Sequence, residues 1–305
     1  MKILVIGGTG HVASFLVPQL LDAGHEVVVA SRGKKALPSD SHLHGARLVT
    51  CDANSEESLK ALAEAERFDV VIDFPGMAYK VYQVFKDKTD HIIACGSLWM
   101  LGYPKIVPTP EIPFGPSCSE GYARRFDEIR HMLSESGVYR AVFTAILPPN
   151  ICGPGKIPLE GLGGRDIEIH KAHRAGQTVY LPEGPEALIG PCDASDIANL
   201  FALAVENRNA AAGQMFNVGS AFSLTSTQFI ATYGKIYGVE IPVEYIPWTR
   251  YKYEISPGIG HWWHFYAHMQ PDISKAQRLL GYKPRYTPEE TMTRAVEWMY
   301  KEKLL

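Results

Sequence analysis

The sequence has no long hydrophobic run and no excess of either charge. No apolar stretch approaches the ~20 residues that a membrane span needs, so we expect no transmembrane helix. The 305 residues carry 30 Lys and Arg against 33 Asp and Glu, a formal net charge of −3. Charges that are mixed this evenly indicate no basic surface, so nucleic acid is an unfavoured partner.

Cysteine is scarce, and its five copies are scattered without the spacing of metal ligands. An odd number of dispersed cysteines indicates reduced thiols and a cytoplasmic location rather than a disulfide framework. The sequence also lacks repeats, low-complexity tracts and flexible linkers. A chain of 305 residues is long enough for a large core, either as one α/β domain or as two closely joined parts.

What the sequence does contain is a glycine-rich segment, KILVIGGTGHVAS, at residues 2–14. Its first five residues are a short β-branched apolar run that predicts a buried strand. From His11 onward, apolar residues recur at helical spacing as far as Gly24. This order predicts a diphosphate site, because the free N–H groups and the positive end of the helix dipole face the anion. The expected cofactor contacts are Gly7, Thr9, Gly10, His11 and Val12.

The end of the second predicted strand, 26–30, bears on the choice of cofactor. An acidic residue there binds the ribose 2′-hydroxyl of NAD, whereas a small residue with an Arg accommodates the 2′-phosphate of NADP. Here the strand is followed by SRGKK at 31–35, without a carboxylate. We therefore favour NADP over NAD, with Ser31 and Arg32 at the phosphate. A solvated basic loop is the alternative explanation.

The next two predicted strands, 46–50 and 70–72, end in polar or turn-forming residues. Asp52 follows the first, and DFPG at 73–76 follows the second. Ligands of doubly wound sheets bind at the carboxyl ends of the strands, so we expect Asp52, Phe74, Pro75 and Gly76 to contact the cofactor. Asp52 is almost as well suited to forming a turn.

Further motifs follow in order: GSLWMLG at 96–102, NICGPG at 150–155, DASD at 193–196, NVGS at 217–220 and DISKAQRLLGYKP at 272–284. With GGTGHVA at 7–13 and Asp52, they resemble the extended short-chain dehydrogenases/reductases, the superfamily of the NAD-dependent epimerases and dehydratases. The resemblance covers nearly the whole chain. It implies an α/β fold with a Rossmann-like doubly wound parallel sheet and a smaller C-terminal substrate-binding lobe. We assign the dinucleotide-binding domain to 1–153, with sheet elements returning near 189–220, and the substrate lobe mainly to 154–305.

In that family a Ser or Thr, a Tyr and a Lys four residues after the Tyr perform the chemistry. The Tyr exchanges a proton with the substrate hydroxyl, the Ser binds the same oxygen, and the Lys holds the ribose and lowers the pKa of the Tyr. Ser97 and Tyr122 match the first two positions. Phe126 occupies the third, and its ring can neither bind a ribose nor supply a charge. Arg125, near the same helix face as Tyr122, either supplies that charge or is a solvated residue.

Two functions are compatible with this departure. The first is an NAD(P)-dependent oxidoreductase or epimerase with a modified Ser-Tyr site, acting on a hydroxylated or carbonyl small molecule such as a sugar or sugar nucleotide. The second is a nucleotide-binding regulatory or RNA-associated protein. Residues 32–34, 73–74 and 264–265 resemble the atypical branch that includes the chloroplast stem-loop-binding proteins. The acidic charge balance gives RNA binding little support, so we favour the enzyme and leave a homodimer open.

The C-terminal lobe is expected to recognise the substrate. Asn150 matches the Asn that precedes the family's Gly-Pro pair and often contacts substrate, although capping a turn is an equally good role. Lys156, Arg165 and Arg174 are candidates to neutralise a substrate phosphate, or else are ordinary surface residues.

The stretch GIGHWWHFYAH at 258–268 is rich in aromatic residues. His261 and His264 are three residues apart, but a third metal ligand is not evident, so we predict no metal site. Packing in a core or an interface is one interpretation of this stretch. A pocket wall is another, with Trp262 and Trp263 as apolar surface and the histidines as polar tips. On the second interpretation, the substrate-binding residues are Asn150, His261, Trp262 and His264.

Overall fold

The computed structural model describes residues 1–33, 43–104, 106–258 and 260–305. The strands within these ranges are β1 (Lys2–Ile6), β2 (Glu26–Ser31), β3 (Arg47–Thr50), β4 (Val70–Asp73), β5 (His91–Cys95), β6 (Val142–Leu147), β7 (Asn150–Cys152), β8 (Val179–Pro182), β9 (Leu188–Ile189), β10 (Pro191–Asp193), β11 (Gln214–Asn217), β12 (Leu224–Thr225) and β13 (Val243–Ile246). The helices are α1 (Ala13–Asp22), α2 (Glu56–Ala65), α3 (Ala78–Phe85), α4 (Glu120–Ser134), α5 (Ile167–Arg174), α6 (Ala194–Glu206), α7 (Arg208–Ala211), α8 (Ser226–Tyr237), α9 (Trp248–Arg250), α10 (Ser274–Leu280) and α11 (Pro288–Lys301). Short 3-10 turns occupy Leu98–Leu101 and Trp262–Phe265, and a π-helical turn occupies Tyr251–Ile255.

Seven parallel strands form the central sheet, in the order β11-β6-β5-β4-β1-β2-β3. The chain starts in the middle of the sheet at β1, builds outward to β3, then crosses to β4 and builds the other half. This reversal of direction beside β1 is the switch point at which doubly wound sheets bind ligands. The predicted Rossmann-like fold is confirmed.

Strand β1 illustrates why the apolar runs are continuous rather than alternating. Leu4 and Ile6 pack into the core on one face of the sheet, and Ile3 and Val5 pack into the core on the other. Both faces are covered by helices, so a strand in the middle of this sheet needs apolar side chains on both sides. A third core, built from residues 152–305, lies in the C-terminal lobe.

A buried carboxylate joins two helices of the C-terminal half. Asp193, at the N-cap of α6, accepts hydrogen bonds from the backbone and hydroxyl of Ser195, from the Thr291 hydroxyl and from the Arg294 guanidinium. Thr291 and Arg294 both belong to α11. The buried Asp193 carboxylate thus accepts four hydrogen bonds, which compensate its loss of hydration.

None of the helices in the described ranges is long and apolar enough to span a bilayer.

Candidate active site at the carboxyl edge of the sheet

The loop between β1 and α1 fits a diphosphate. Gly7 has a φ of +76°, and a Cβ there would lie 2.8 Å from Pro75 Cδ. A Cβ on Gly10 would lie 3.2 Å from the carbonyl oxygen of Gly7, whose partner is the Gly10 N–H at 2.9 Å. The backbone N–H groups of His11 and Val12 have no hydrogen-bond partner in the described chain. A tight, side-chain-free turn with free N–H groups before a helix is what an anion needs.

The His11 side chain connects this loop to the C-terminal lobe. Its Nε2 lies 2.7 Å from the carbonyl oxygen of Pro154, and because a carbonyl only accepts, Nε2 carries the proton. Burial lowers the pKa of His11 to about 4, so the ring is neutral at physiological pH. The imidazole therefore serves as a structural donor, and cofactor binding by His11 is left to its backbone N–H.

A cavity of about 330 Å³, here called the glycine-loop cavity, lies where β1, β2 and β3 end. Six residues predicted to contact the cofactor line this cavity: Gly7, Thr9, Ser31, Arg32, Asp52 and, from the loop after β4, Pro75. Lys34 and Lys35, which we grouped with Arg32, lie outside the described residues.

Asp52 adopts the turn-forming role that was its alternative. Its Oδ1 accepts hydrogen bonds from the backbone N–H and the side-chain amide of Asn54, both at 3.0 Å. The same carboxylate borders the glycine-loop cavity, so a contact with adenine stays a prediction.

A second cavity, of about 310 Å³, brings together residues that are far apart in the sequence. We call it the Ser–Tyr cavity, because Ser97, after β5, and Tyr122, in the first turn of α4, both line it. Phe74, Asn150 and His264 line it as well. Backbone N–H groups fix both hydroxyl-bearing segments: Trp99 N–H donates to Ser97 Oγ, and Tyr122 N–H donates to the Ser119 cap of α4.

A larger cavity of about 740 Å³ lies between these two. It shares Asn54 and Met77 with the glycine-loop cavity, and Tyr122 and Arg125 with the Ser–Tyr cavity. The three cavities therefore adjoin along the carboxyl edge of the sheet, in the arrangement that an extended dinucleotide requires.

Arg125 and Phe126 face different surroundings. Phe126 is only 6% exposed and packs in the core with Ile129 and Met132 of the same helix. Arg125 donates from Nε to the carbonyl oxygen of Gly76 at 3.3 Å and from Nη2 to that of Pro75 at 3.2 Å. Gly76 has a φ of +77°, a conformation that favours glycine, and a Cβ there would also displace Nη2 of Arg125, which lies 1.2 Å away. Two backbone carbonyl oxygens thus hold the Arg125 side chain, and the action of its charge on Tyr122 stays a prediction.

A buried carboxyl lies below this arginine. Asp73, the last residue of β4, is fully buried, and neither of its oxygens has a well-aligned hydrogen bond in the described chain. Burial raises its pKa to about 7, against the opposing effects of the Met77 N–H, the Arg125 charge and the Gly76 N–H. Burial, with the Asp73 charge adding to it, also raises the pKa of the neighbouring Cys95 thiol to about 12, which makes it unreactive.

Two more cations line the Ser–Tyr cavity. Arg165 donates to the carbonyl oxygens of Ile157 at 2.8 Å and Ile151 at 2.7 Å, and Lys156 lies near it. Burial lowers the pKa of both side chains. Neither forms an ion pair with a carboxylate in the ranges that the structure describes. Arg174, in the last turn of α5, is not among the residues that line this cavity.

Of the aromatic stretch, His264 lines the Ser–Tyr cavity, and the two tryptophans pack around other aromatic rings. The Trp263 ring lies 5.7 Å from that of Trp99 and 6.3 Å from that of Tyr122, whereas Trp262 packs on Tyr103, Trp248 and Tyr266. Neither His261 nor Trp262 lines the Ser–Tyr cavity. Substrate binding by these two therefore has no support from their position, and it stays a prediction.

No group of three metal-binding side chains occurs among the described residues.

Some residues of the cavity had no counterpart in our predictions. Trp99, Pro148 and Pro149 line it, and the signal was available, because Pro148 and Pro149 directly follow β6, whose carboxyl end lies at the same edge as that of β5.

A parallel sheet of this order, with a glycine loop at its first strand, resembles the architecture of the extended short-chain dehydrogenases/reductases. The comparisons with known proteins agree. Residues 3–101 match the sequence model of the NAD dependent epimerase/dehydratase family. The resemblance that the motifs indicated is thereby confirmed.

Relatives over the whole chain have different activities. The chloroplast stem-loop binding protein of 41 kDa b of Arabidopsis thaliana is 27% identical, over 96% of this chain and 77% of that protein. A UDP-glucose 4-epimerase of Corynebacterium glutamicum is 22% identical, over 96% and 93%. Among solved structures, UDP-glucose-4-epimerase of Stenotrophomonas maltophila, with NAD and formylated UDP-arabinopyranose bound, has a TM-score of 0.77 at 17% identity, covering 99% of each chain.

Proposed function

We propose that the protein is an NAD(P)-dependent oxidoreductase or epimerase that acts on a hydroxylated or carbonyl carbon of a small molecule. The observation that carries the proposal is that Ser97 and Tyr122 line one cavity, which the larger cavity connects to the glycine-loop cavity. A bound nicotinamide dinucleotide would accept or donate hydride there. The contacts expected for it are the N–H groups of His11 and Val12 at the diphosphate, and Thr9 and Arg32 at the adenosine end.

Tyr122 would take the substrate proton, and Ser97 would hold the same substrate oxygen. Arg125 would supply the fixed positive charge that the family obtains from lysine. The support for this is that its guanidinium is held by two carbonyl oxygens while it lines both cavities that Tyr122 lines. A cation beside the phenol stabilises the phenolate that accepts the proton.

The substrate would carry a phosphate, as a sugar nucleotide does. Lys156 and Arg165 are partly buried cations in the Ser–Tyr cavity without a carboxylate partner in the described chain. Buried charges need compensation, and an anionic ligand provides it. The UDP-glucose 4-epimerase relatives act on substrates of this kind according to their names.

We further propose NADP as the preferred cofactor. Arg32 lines the glycine-loop cavity with Ser31, and no acidic residue follows β2 directly. Arg32→Asp is expected to reverse the preference, by a modest factor because an exposed Arg–phosphate pair is screened by salt. Calorimetric titration with NADP+ and NAD+ measures this. Equal affinities in the unaltered protein would refute the proposal.

The experiment that tests the function is hydride transfer. Absorbance of the reduced cofactor is followed with UDP-glucose, other sugar nucleotides, free sugars and ketones, and UDP-glucose mixtures are analysed for epimers. Tyr122→Phe is expected to reduce kcat on the order of 10²–10⁴-fold. Tyr300→Phe, at an exposed position of α11 outside the three cavities, is the matched control. Full activity in Tyr122→Phe would reject the assigned proton carrier.

A second function, a nucleotide-binding protein associated with RNA, is favoured by one relative. The Arabidopsis protein is named for stem-loop binding, and Phe126 replaces the family lysine here. Two results together would favour this second function. The protein would bind the cofactor without hydride transfer on any of these compounds, and it would retain a labelled RNA stem-loop at physiological salt.

A further inference from the structure

Asn150 and His264 form a hydrogen-bonded pair, and a backbone N–H determines which of the two side chains donates. The N–H of Gly190 donates to Asn150 Oδ1 at 3.1 Å, so the carbonyl end of the amide faces Gly190. The NH₂ end then faces His264 Nδ1 at 2.8 Å. An amide nitrogen only donates, so His264 Nδ1 has to accept and is unprotonated. The proton of the neutral ring is therefore on Nε2.

The surroundings keep this ring neutral. The edge of His264 packs on Trp99, with the ring centroids 5.2 Å apart. Burial lowers the pKa of His264 to about 3, and the charges of Arg165 and His261 lower it further. Asn150 is only 4% exposed, and each end of its amide has a partner. The amide therefore holds His264, and a direct substrate contact by Asn150 stays a prediction.

His264 Nε2 has no hydrogen-bond partner in the part of the chain that the structure describes. Yet the residue lines the Ser–Tyr cavity together with Ser97 and Tyr122. A donor fixed in one tautomer and open to a ligand cavity can recognise one chemical feature, an acceptor oxygen.

We propose that His264 is a substrate-binding residue whose Nε2–H donates a hydrogen bond to an acceptor oxygen of the substrate, and that Asn150 is the positioning residue that fixes its tautomer. This inference rests on the proposed function, since it places the substrate in the Ser–Tyr cavity. It also makes His264 a donor only, which excludes it as the proton carrier in place of Tyr122.

The tautomer is tested first, on the full-length protein without ligand. Nitrogen-15 NMR of the imidazoles reports which ring nitrogen carries the proton, and a His264→Gln sample identifies the His264 signals among the 11 histidines. We expect a protonated Nε2 and a bare Nδ1. Asn150→Asp replaces the donor by an acceptor of the same shape, so the proton should move to Nδ1. A protonated Nδ1 in the unaltered protein would overturn the proposal.

Binding is tested next, with UDP-glucose as the probe in the presence of cofactor. His264→Leu and Asn150→Asp are expected to weaken binding about tenfold or more, as the loss of a buried hydrogen bond would. His264→Gln retains an N–H donor near the Nε2 position and should bind within about threefold of the unaltered protein. His131→Leu, on the exposed side of α4, is the control.

The two tests separate this inference from the proposed function. Unaltered affinity in His264→Leu would overturn the inference, even if the protein is an active enzyme. Absence of UDP-glucose binding by the unaltered protein would count against the sugar-nucleotide substrate, and a bare Nδ1 in the NMR spectrum would then still support the fixed donor.

Discussion

At the scale of single residues, position 126 separates this chain from the family that its other motifs resemble. Phe126 packs into the core, and the cation at the site is instead its neighbour, Arg125. A helix places residues three and four positions apart on nearly the same face, so moving the charge by one position keeps it near Tyr122. We therefore expect the arginine to be an imperfect substitute, anchored from the loop after β4.

Arg125→Ala should reduce kcat at neutral pH by about tenfold or more, because the site would lose the cation that is proposed to replace the family lysine. The kcat values of the unaltered protein and of the variant measure the effect, with Arg130→Ala, on the exposed side of the same helix, as the control. An unchanged kcat in Arg125→Ala would show that this side chain only holds the loop after β4.

Asp73 should make the stability of the protein depend on pH. Its folded-state pKa is raised to about 7 from 3.8, so the folded state binds the proton more tightly than the unfolded state does. The stabilisation contributed by proton binding at Asp73 is complete below pH ~4. It is lost as the pH rises to ~7, which lowers the free energy of unfolding by on the order of a few kcal/mol. Urea unfolding of the unaltered protein and of Asp73→Asn measures it. As the pH rises, the free energy of unfolding of the unaltered protein should fall relative to that of Asp73→Asn. Parallel curves of unfolding free energy against pH would contradict the assignment.

The site could be predicted in part from single residues. Ser97 and Tyr122 could be proposed because the distance from Ser97 to Gly102 and the place of Tyr122 at the start of a helix are local features. The structure puts both in one cavity, and their catalytic roles stay predictions. The pairing of Asn150 with His264 could not be proposed, since 114 residues separate them and only the fold brings them together. For the same reason, the sequence did not single out His264 as the residue of the aromatic stretch that lines the Ser–Tyr cavity.

At the scale of elements, the N-terminal half followed its sequence pattern closely. The predicted strand 70–72 is observed as Val70–Asp73 and the predicted strand 26–30 as Glu26–Ser31. Fully buried parallel strands are apolar throughout, which makes them visible in the sequence. The two- to four-residue strands of the C-terminal lobe, such as β9 and β12, are too short to show any period.

The glycine loop is the element on which cofactor binding depends. Gly10→Val would place a branched side chain against the Gly7 carbonyl and over the free N–H groups. Affinity for NADP+ should fall by at least about 100-fold, while the circular dichroism spectrum stays that of the unaltered protein. Calorimetry makes the measurement. Ala61→Val, on the exposed face of α2, is the control. Normal binding by Gly10→Val would show that the loop is only a structural turn.

At the scale of the whole molecule, Asp193 fixes α11 of the C-terminal half to the start of α6, beside the sheet. Asp193→Ala leaves the Arg294 charge and the Thr291 hydroxyl without their shared partner. The expected loss is about 3–5 kcal/mol of unfolding free energy. Asp90→Ala, which removes exposed pairs with Arg67 and Arg140, should cost under about 1 kcal/mol. Urea unfolding compares the two, and equal losses would contradict a special role for Asp193.

The hydrogen bond from His11 to Pro154 joins the loop that faces the cofactor to the segment that carries Lys156. A loop that settles around a diphosphate must carry that segment with it, so occupancy of one cavity should alter the affinity of the other. Thermodynamic linkage makes the effect reciprocal: the factor by which the dinucleotide changes substrate affinity equals the factor by which the substrate changes dinucleotide affinity. The coupling itself favours neither ligand as the first to bind, because each raises or lowers the affinity for the other by the same factor.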